Sequence, residues 1–287
     1  MSPRAGAGAL HSPARLPAES RAGCGLGARV DYSAAMPFNA HAMVLAAGRG
    51  ERMRPLTDNC PKPLLPVQGK PLMQWHLESL ARAGWDRAVV NTAWLGDRIE
   101  ANLGEGPVGG PRLAYSHEGR DFGGALETAG GIARALPLLG DVFWVVAGDV
   151  FMPGFAFPRA VFERFAASDA LGHLWLVPNP PHNPRGDFGL AADGLALNQV
   201  PEGAPRWTFS TVGLYKRALF AGLPTGNPQG LKAPLAPLLR QAMDNGRITA
   251  ERWDGPWTDV GTPERLAALN EEPALAPDPT RASTGAH

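Results

Sequence analysis

Ala42-Met43-Val44-Leu45-Ala46-Ala47-Gly48-Arg49-Gly50-Glu51-Arg52-Met53-Arg54-Pro55-Leu56-Thr57 is the stretch on which the fold of this 287-residue chain turns. Its first five residues form a short apolar run that stops at small residues and glycines. That pattern reads as a buried first strand entering a glycine-containing loop. Three arginines follow within the loop, then Pro61-Lys62-Pro63-Leu64-Leu65-Pro66-Val67, a lysine locked between two prolines. Glycine lets a backbone approach a ligand closely and adopt positive φ, so the amides of such a loop can cradle phosphates. Nearby cations would neutralise the phosphate charge. Gly48-Arg49-Gly50 is not continued at the spacing of a Walker A or dinucleotide-binding loop. On spacing alone, a phosphate loop and a plain turn both stay open.

Downstream the same alternation repeats. The periodicity predicts a helix over 71–83, opened by proline and closed by Gly84, then a strand over 88–90 and a short helix over 95–103. A third strand is expected over 112–115, a helix over 125–136, and a strong buried strand over 142–146. Strands separated by helices give an α/β fold, a Rossmann-like mixed, mostly parallel sheet with helices on both faces. Right-handed crossovers place the ligand along one edge of that sheet. After Asp149 the pattern loosens into strands over 171–177, 189–199 and 207–215, a helix over 231–244 and a late strand over 247–253, joined by Pro-rich loops.

Composition limits the function classes. At 44% hydrophobic and 19% charged the chain can bury a core. Lys+Arg and Asp+Glu are both 27, so charge alone favours neither a nucleic-acid partner nor a membrane surface. Only four residues are lysine (Lys62, Lys70, Lys216, Lys232), so each lysine draws notice. Cys24 and Cys60 offer neither a disulfide framework nor metal-ligand spacing, as expected of free thiols in a reducing cytoplasm. Residues 1–40 are rich in Ala, Gly, Pro, Ser and Arg and are expected to be a disordered extension, a transit peptide being the alternative, with Met36 a possible true start. Residues 41–270 read as a single domain and 271–287 as a Pro-rich disordered tail.

Two acids stand where chemistry can reach them. Asp149 follows directly on the buried run Val145-Val146-Ala147-Gly148, at the carboxyl edge of the sheet where α/β ligands bind. Asp259 lies in Trp257-Thr258-Asp259-Val260-Gly261-Thr262. Each alone also reads as a turn or cap residue. Glu127-Thr128-Ala129-Gly130-Gly131 opens a helix and reads either as a ligand-facing element or as an ordinary glycine-rich helix entry.

The two opening segments resemble the signature of the sugar nucleotidyltransferases, Leu-Ala-x-Gly-x-Gly-x-Arg-Leu-x-Pro-Leu-Thr followed by Pro-Lys-Pro-Leu-Leu-Pro-Val, at nearly every position. The resemblance implies a nucleotide half followed by a sugar-binding half within one fold. By that resemblance, Leu45, Ala46, Ala47, Gly48 and Gly50 wrap the nucleotide, and Arg52 contacts phosphate. Lys62 would steady the α-phosphate region. Glu127, Thr128 and Gly130 match the second base-binding element, and Asp149 with Asp259 match the acids that hold one Mg²⁺. Partners implied are an NTP and a sugar 1-phosphate.

Further stretches are similar to the subgroup that uridylylates N-acetylmuramate α-1-phosphate in cell-wall recycling: Asn91-Thr92-Ala93-Trp94-Leu95-Gly96, Tyr115-Ser116-His117-Glu118, Asn179 to Phe188, and Leu231-Lys232-Ala233-Pro234-Leu235. Together they cover residues 42–269. Asn183, Asp187 and Lys232 are the sugar-binding candidates, and Arg185, Arg206 or Lys232 would meet the lactyl carboxylate. Ala147 stands where the subgroup usually has Asn. Residues 120–124 look inserted, and the Glu-Lys-Pro lysine that thymidylyl and guanylyl relatives use is missing near Glu202. Mannose-1-phosphate guanylyl or glucose-1-phosphate thymidylyl or uridylyl transfer are the alternatives, followed by a catalytically idle nucleotide-binding regulatory subunit. His76, His117 and His182 show no ligand spacing and are expected to pack or to lie at the surface.

Overall fold

The computed structural model describes residues 38–271. The expectations for residues 1–37 and 272–287, Cys24 and Met36 among them, lie outside the described residues. Strand β1 (Ala40–Ala46) leads through a small hairpin, β2 (Pro66–Val67) and β3 (Lys70–Pro71), into α1 (Leu72–Arg82) and β4 (Arg87–Thr92). Next come α2 (Gly96–Leu103), β5 (Arg112–His117), α3 (Glu118–Phe122), α4 (Glu127–Ala135), β6 (Leu139–Ala147) and β7 (Val150–Phe151). The second half holds α5 (Arg159–Ala167), β8 (Gly172–Val177), β9 (Phe188–Leu190), β10 (Ala196–Leu197) and β11 (Arg206–Lys216). It ends with α6 (Leu235–Asp244), β12 (Ile248–Arg252), β13 (Thr258–Asp259) and α7 (Pro263–Glu271).

The main sheet runs β5-β4-β1-β6-β11-β9-β10, with β8 also on β11 and β12 on β8. Strands β5, β4, β1 and β6 are mutually parallel, and β12 is parallel to β8. Strand β11 runs antiparallel to β6, β8 and β9, which makes the sheet mixed. From β1 the chain proceeds to β4 on one side, and it returns at β6 on the other. The strand order therefore reverses at β1/β6, and the crevice outside their carboxyl ends is where such a sheet binds ligands.

Pleat alternation sends β1 side chains to two cores. Met43 joins α4 and α6 (Ile132, Leu235, Leu239), while Ala42, Val44 and Ala46 join α1, α2 and α5 (Leu77, Leu80, Ile99, Phe165). Helices therefore cover both faces. A smaller cluster of Met53, Leu65, Leu72, Phe151, Val260 and Leu266 ties the glycine loop and α7 to β7.

Several expectations shift. The helix expected over 231–244 starts only at Leu235, because residues before it bond sideways to α4: the N–H groups of Ala129 and Gly130 both donate to the carbonyl of Ala233. The strand expected over 189–199 is a hairpin, β9 and β10, that turns at Gly194, whose φ is +86°. The helix expected over 125–136 begins at Glu127 and tightens into a 3₁₀ turn at Leu136–Leu138. Helices α3, α5 and α7 and the small β7–β13 and β2–β3 pairs had no counterpart in the sequence reading.

Candidate active site

Arg49 braces the glycine loop from within, and the exposed Arg54 pairs beside it. Arg49 donates to the carbonyl of Thr57 (3.0 Å) and to Asp58 (2.9 Å), and its guanidinium lies 3.8 Å from the centre of the Trp94 ring. The Trp94 indole N–H donates to the same Thr57 carbonyl at 2.9 Å. Arg54 pairs with Asp58 at 2.9 Å. The Arg49 hydrogen bond, helped by the Arg54 charge, holds the Asp58 carboxyl below its ordinary pKa. Arg52, the remaining arginine of the loop, has no carboxylate partner among the described residues and lines the adjacent cavity. Gly50 adopts φ +67°, and a Cβ there would lie 3.0 Å from Thr57 Cγ2 and 3.3 Å from Lys62 Cβ. Glycine at 50 is what lets the loop close over the lysine.

That cavity, about 470 Å³, opens at the carboxyl ends of β1 and β6. Leu45, Ala46, Ala47, Gly48, Gly50, Arg52, Lys62, Glu127, Thr128 and Asp149 all line it. Gly130 does not: a Cβ there would lie 2.5 Å from the Leu231 carbonyl, so its missing side chain makes room for the 231–233 segment. Glu127 opens α4 with φ +62°, a strained conformation for a non-glycine residue, and presents its side chain at the cavity wall.

Two distant parts of the chain converge at the cavity edge. Lys62, 7% exposed, places Nζ 2.5 Å from Asp149 Oδ2. Asp149 precedes β7, which pairs antiparallel with β13, setting Asp259 opposite Val150; the Val260 N–H donates to the Asp149 carbonyl at 3.2 Å. Gly148 lets this turn lie on β1: its N–H reaches the Leu45 carbonyl at 2.8 Å, and a Cβ would sit 2.9 Å from that oxygen. Asp259 Oδ2 lies 3.0 Å from Arg265 and 3.2 Å from His182 Nε2. Gly261, beside Asp259 Oδ1, lines the cavity. Among the described residues no group of three or more His, Cys, Asp or Glu side chains could hold a metal. Two carboxylates are nonetheless the hard-oxygen set that suits Mg²⁺, which fills its remaining positions with waters and phosphate oxygens. The donor set fits.

Asn91 and Glu118 also line this cavity, and the sequence reading gave neither a role there. Asn91 Oδ1 accepts from the Ala46 N–H (2.8 Å), and its amide donates to Glu118 Oε1 (2.6 Å). Glu118 Oε2 accepts from the Leu126 N–H at 2.7 Å. This chain of bonds ties the start of the glycine loop to the start of α4. Burial pushes the Glu118 pKa up, against the bonds from Leu126 and Asn91. Asn91 directly follows the apolar run of β4, so the rule that singled out Asp149 would have found it; Glu118 opens α3 after the mixed strand β5, where that rule gives no signal.

A second cavity of about 410 Å³ continues past Leu45, Glu127, Thr128 and Ala147, which line both. Its further walls are Val145, Asp187, Phe188, Phe209, Thr211, Tyr215, Leu235, Leu239 and Arg240, among others. Asp187 accepts from the Phe209 N–H (2.8 Å) and from Asn183 (3.2 Å), so Asn183 stands behind it. Lys232 is exposed and lines neither cavity. Thr211 sits at an irregularity of β11 with φ +65°. Thr211 Oγ1 and Tyr215 OH are buried without a hydrogen-bond partner among the described residues, and burial drives the Tyr215 pKa far up. Of the histidines, His76 is buried and bonds the Val150 carbonyl at 2.7 Å, and His117 pairs with Glu100 at 3.0 Å. His182 lies at the surface, where its Nε2 meets Asp259.

A sheet with this switch point and a cationic glycine loop facing two carboxylates defines a class of nucleotide-handling α/β proteins. The sequence profile of the nucleotidyl transferase family matches residues 41–274, and the chain belongs to that family. It is 49% identical to the N-acetylmuramate α-1-phosphate uridylyltransferase of Neisseria meningitidis serogroup B over 82% of this chain and 97% of that protein. It is 35% identical to the protein of the same name from Caulobacter vibrioides, over 79% of this chain and 94% of that one. Among solved structures, a Bacillus anthracis protein assigned as a glucose-1-phosphate thymidylyltransferase matches with TM-score 0.65 and 20% identity, over 80% of this chain and 93% of that one; this likeness speaks to the fold.

Proposed function

We propose that this chain, as one catalytic domain, transfers the uridylyl group of UTP to N-acetylmuramate α-1-phosphate in the recycling of cell-wall sugars, in the cytoplasm. The products are UDP-N-acetylmuramate and pyrophosphate. The observation that carries the reading is the convergence of Arg52, Lys62 and Asp149 on one cavity, with Asp259 set beside Asp149 by the β7–β13 pair, next to a second cavity of sugar size. The names of the two relatives supply the base and the sugar.

In this reaction a phosphate oxygen of the sugar 1-phosphate attacks the α-phosphorus of UTP in line. The new P–O bond forms as the bond to the β-phosphate oxygen breaks, and pyrophosphate leaves with the electron pair. The attacking phosphate is already a competent nucleophile, so neither a general base nor a covalent intermediate is required. Positioning and charge neutralisation are the protein's work. Leu45 to Gly50 and Glu127-Thr128 hold the nucleoside, with Glu127 at the base edge. Arg52 meets triphosphate oxygens, and Lys62 meets the α-phosphate. Asp149 and Asp259 would hold Mg²⁺, which when bound neutralises charge on the triphosphate and on the leaving pyrophosphate. Asp187, backed by Asn183, faces the sugar.

Label tests the reaction type directly. UTP labelled at the α-phosphate should pass its label to the sugar nucleotide, and γ-label should appear only in pyrophosphate. Release of γ-label as free phosphate would point to another chemistry.

A further inference from the structure

The second cavity has largely apolar walls: Leu45, Val145, Phe188, Phe209 and Leu239. Hydroxyls of an unsubstituted hexose would lose water against such walls with few partners in return. A sugar bearing acetyl and lactyl methyl groups suits them better. Three charged side chains line the cavity, Glu127, Asp187 and Arg240. The two acids would repel a carboxylate, so only the Arg240 end can receive one.

Arg240 is held ready at that end. Helix α6 buries Leu235 and Leu239, which leaves Arg240 exposed at the cavity rim. Its guanidinium donates to Asn198 Oδ1 at 2.6 Å and lies 5.2 Å from the centre of the Phe188 ring. The Asn198 amide is anchored in turn on Asp244, at 3.0 and 3.1 Å. Among the described residues Arg240 has no carboxylate within ion-pair distance, in contrast to Arg49, Arg54, Arg134 and Arg265. The cations suggested by sequence serve less well. Lys232 and Arg185 line neither cavity, and Arg206 is committed to the Asp187 carbonyl at 2.5 Å.

We infer that Arg240 receives the lactyl carboxylate of the sugar and so sets the preference for an acidic sugar 1-phosphate over its neutral counterpart. The inference rests on the sugar reading given under Proposed function. A guanidinium offers a two-pronged donor edge that matches a carboxylate, and with one donor on Asn198 the fork still has an open edge.

The test pairs a change in the protein with the matching change in the substrate. With UTP saturating, kcat/KM is measured for N-acetylmuramate α-1-phosphate and for N-acetylglucosamine α-1-phosphate, which lacks only the lactyl group. The wild type should favour the acidic sugar. In Arg240→Gln the ratio of the two values should fall at least about tenfold, the effect expected of one charge-assisted contact at a partly solvated site. Arg240→Lys, which keeps the charge without the fork, should fall in between. Thermal unfolding checks that the variants fold, and because the readout is a ratio on one sample, a loss of active protein cancels. An equal loss on both sugars, an unmoved ratio, or a wild-type ratio near one would overturn the assignment of Arg240. Wild-type turnover with neither sugar, but with another 1-phosphate, would instead remove the sugar reading and Arg240's role with it.

Discussion

Asp149 and Asp259 come from segments 110 residues apart, and the β7–β13 pair brings them together with cations already against each. If they hold the metal, Asp149→Asn and Asp259→Asn should each lower kcat by about two orders of magnitude or more, the scale seen when a charge-stabilising group is removed. Steady-state turnover at saturating UTP and Mg²⁺ measures this, and near-normal turnover in either variant would remove that residue from the metal set. Arg52→Ala should act differently from Arg49→Ala. The first should raise KM for UTP with little change in thermal stability, since Arg52 has no carboxylate partner to lose among the described residues. The second should lower the melting temperature, because Asp58, Thr57 and Trp94 all lose a contact. Spacing placed all three arginines in one motif, and the resemblance gave a task to Arg52 alone; Asp58 and Trp94 show what Arg49 does instead. Asp149 was legible because a carboxylate directly after a buried strand has few places to point, and Asp259 through the resemblance of its Trp257–Thr262 segment. Arg240 was not, since nothing in its own neighbourhood of sequence says which cavity α6 borders.

Glycines inside the glycine loop and α4 look alike in sequence and differ in structure. A Cβ at Gly48 meets nothing within 4 Å, whereas one at Gly130 would strike the Leu231 carbonyl at 2.5 Å. Gly48→Ala should therefore fold normally and raise KM for UTP, because only the ligand needs that space. Gly130→Ala should instead destabilise by about 1–3 kcal/mol through overpacking, a cost that outweighs the better helix propensity of alanine. Chemical denaturation and UTP titration of both variants separate the two roles. Should Gly130→Ala prove stable and impaired only in UTP binding, the placement of Gly130 against the 231–233 segment would be wrong. Legibility of the elements followed burial. Strands β1 and β6, embedded in the sheet, announced themselves as apolar runs. Helix α5 buries only Phe165, so its period was too weak to read, and the β9–β10 hairpin hid because its turn residues lie inside one long semi-apolar stretch.

His76 sets a pH limit on the molecule as a whole. Desolvation lowers its pKa from 6.5 to about 4, against the bond to Val150 and the nearby Asp149 charge. Between those values the unfolded chain takes up a proton that the folded chain refuses. Stability from this residue is therefore full above about pH 6.5 and falls as pH drops toward 4, by about 3 kcal/mol at most. Glu118 works in the opposite direction, since its raised pKa favours the folded state on acidification. Melting temperatures from pH 4 to 7 should decline toward acid, and His76→Gln should flatten the slope. An unchanged slope would show that His76 is not the group responsible.

The measurement that bears most directly on the central claim is pyrophosphate release with Mg²⁺, crossing UTP, GTP, dTTP and CTP with N-acetylmuramate-, mannose- and glucose-1-phosphates. Dominant turnover with UTP and N-acetylmuramate α-1-phosphate is the predicted result, with the remaining pairs at least tenfold lower. Stronger turnover with GTP and mannose 1-phosphate, or silence from folded protein that still binds nucleotide, would contradict it.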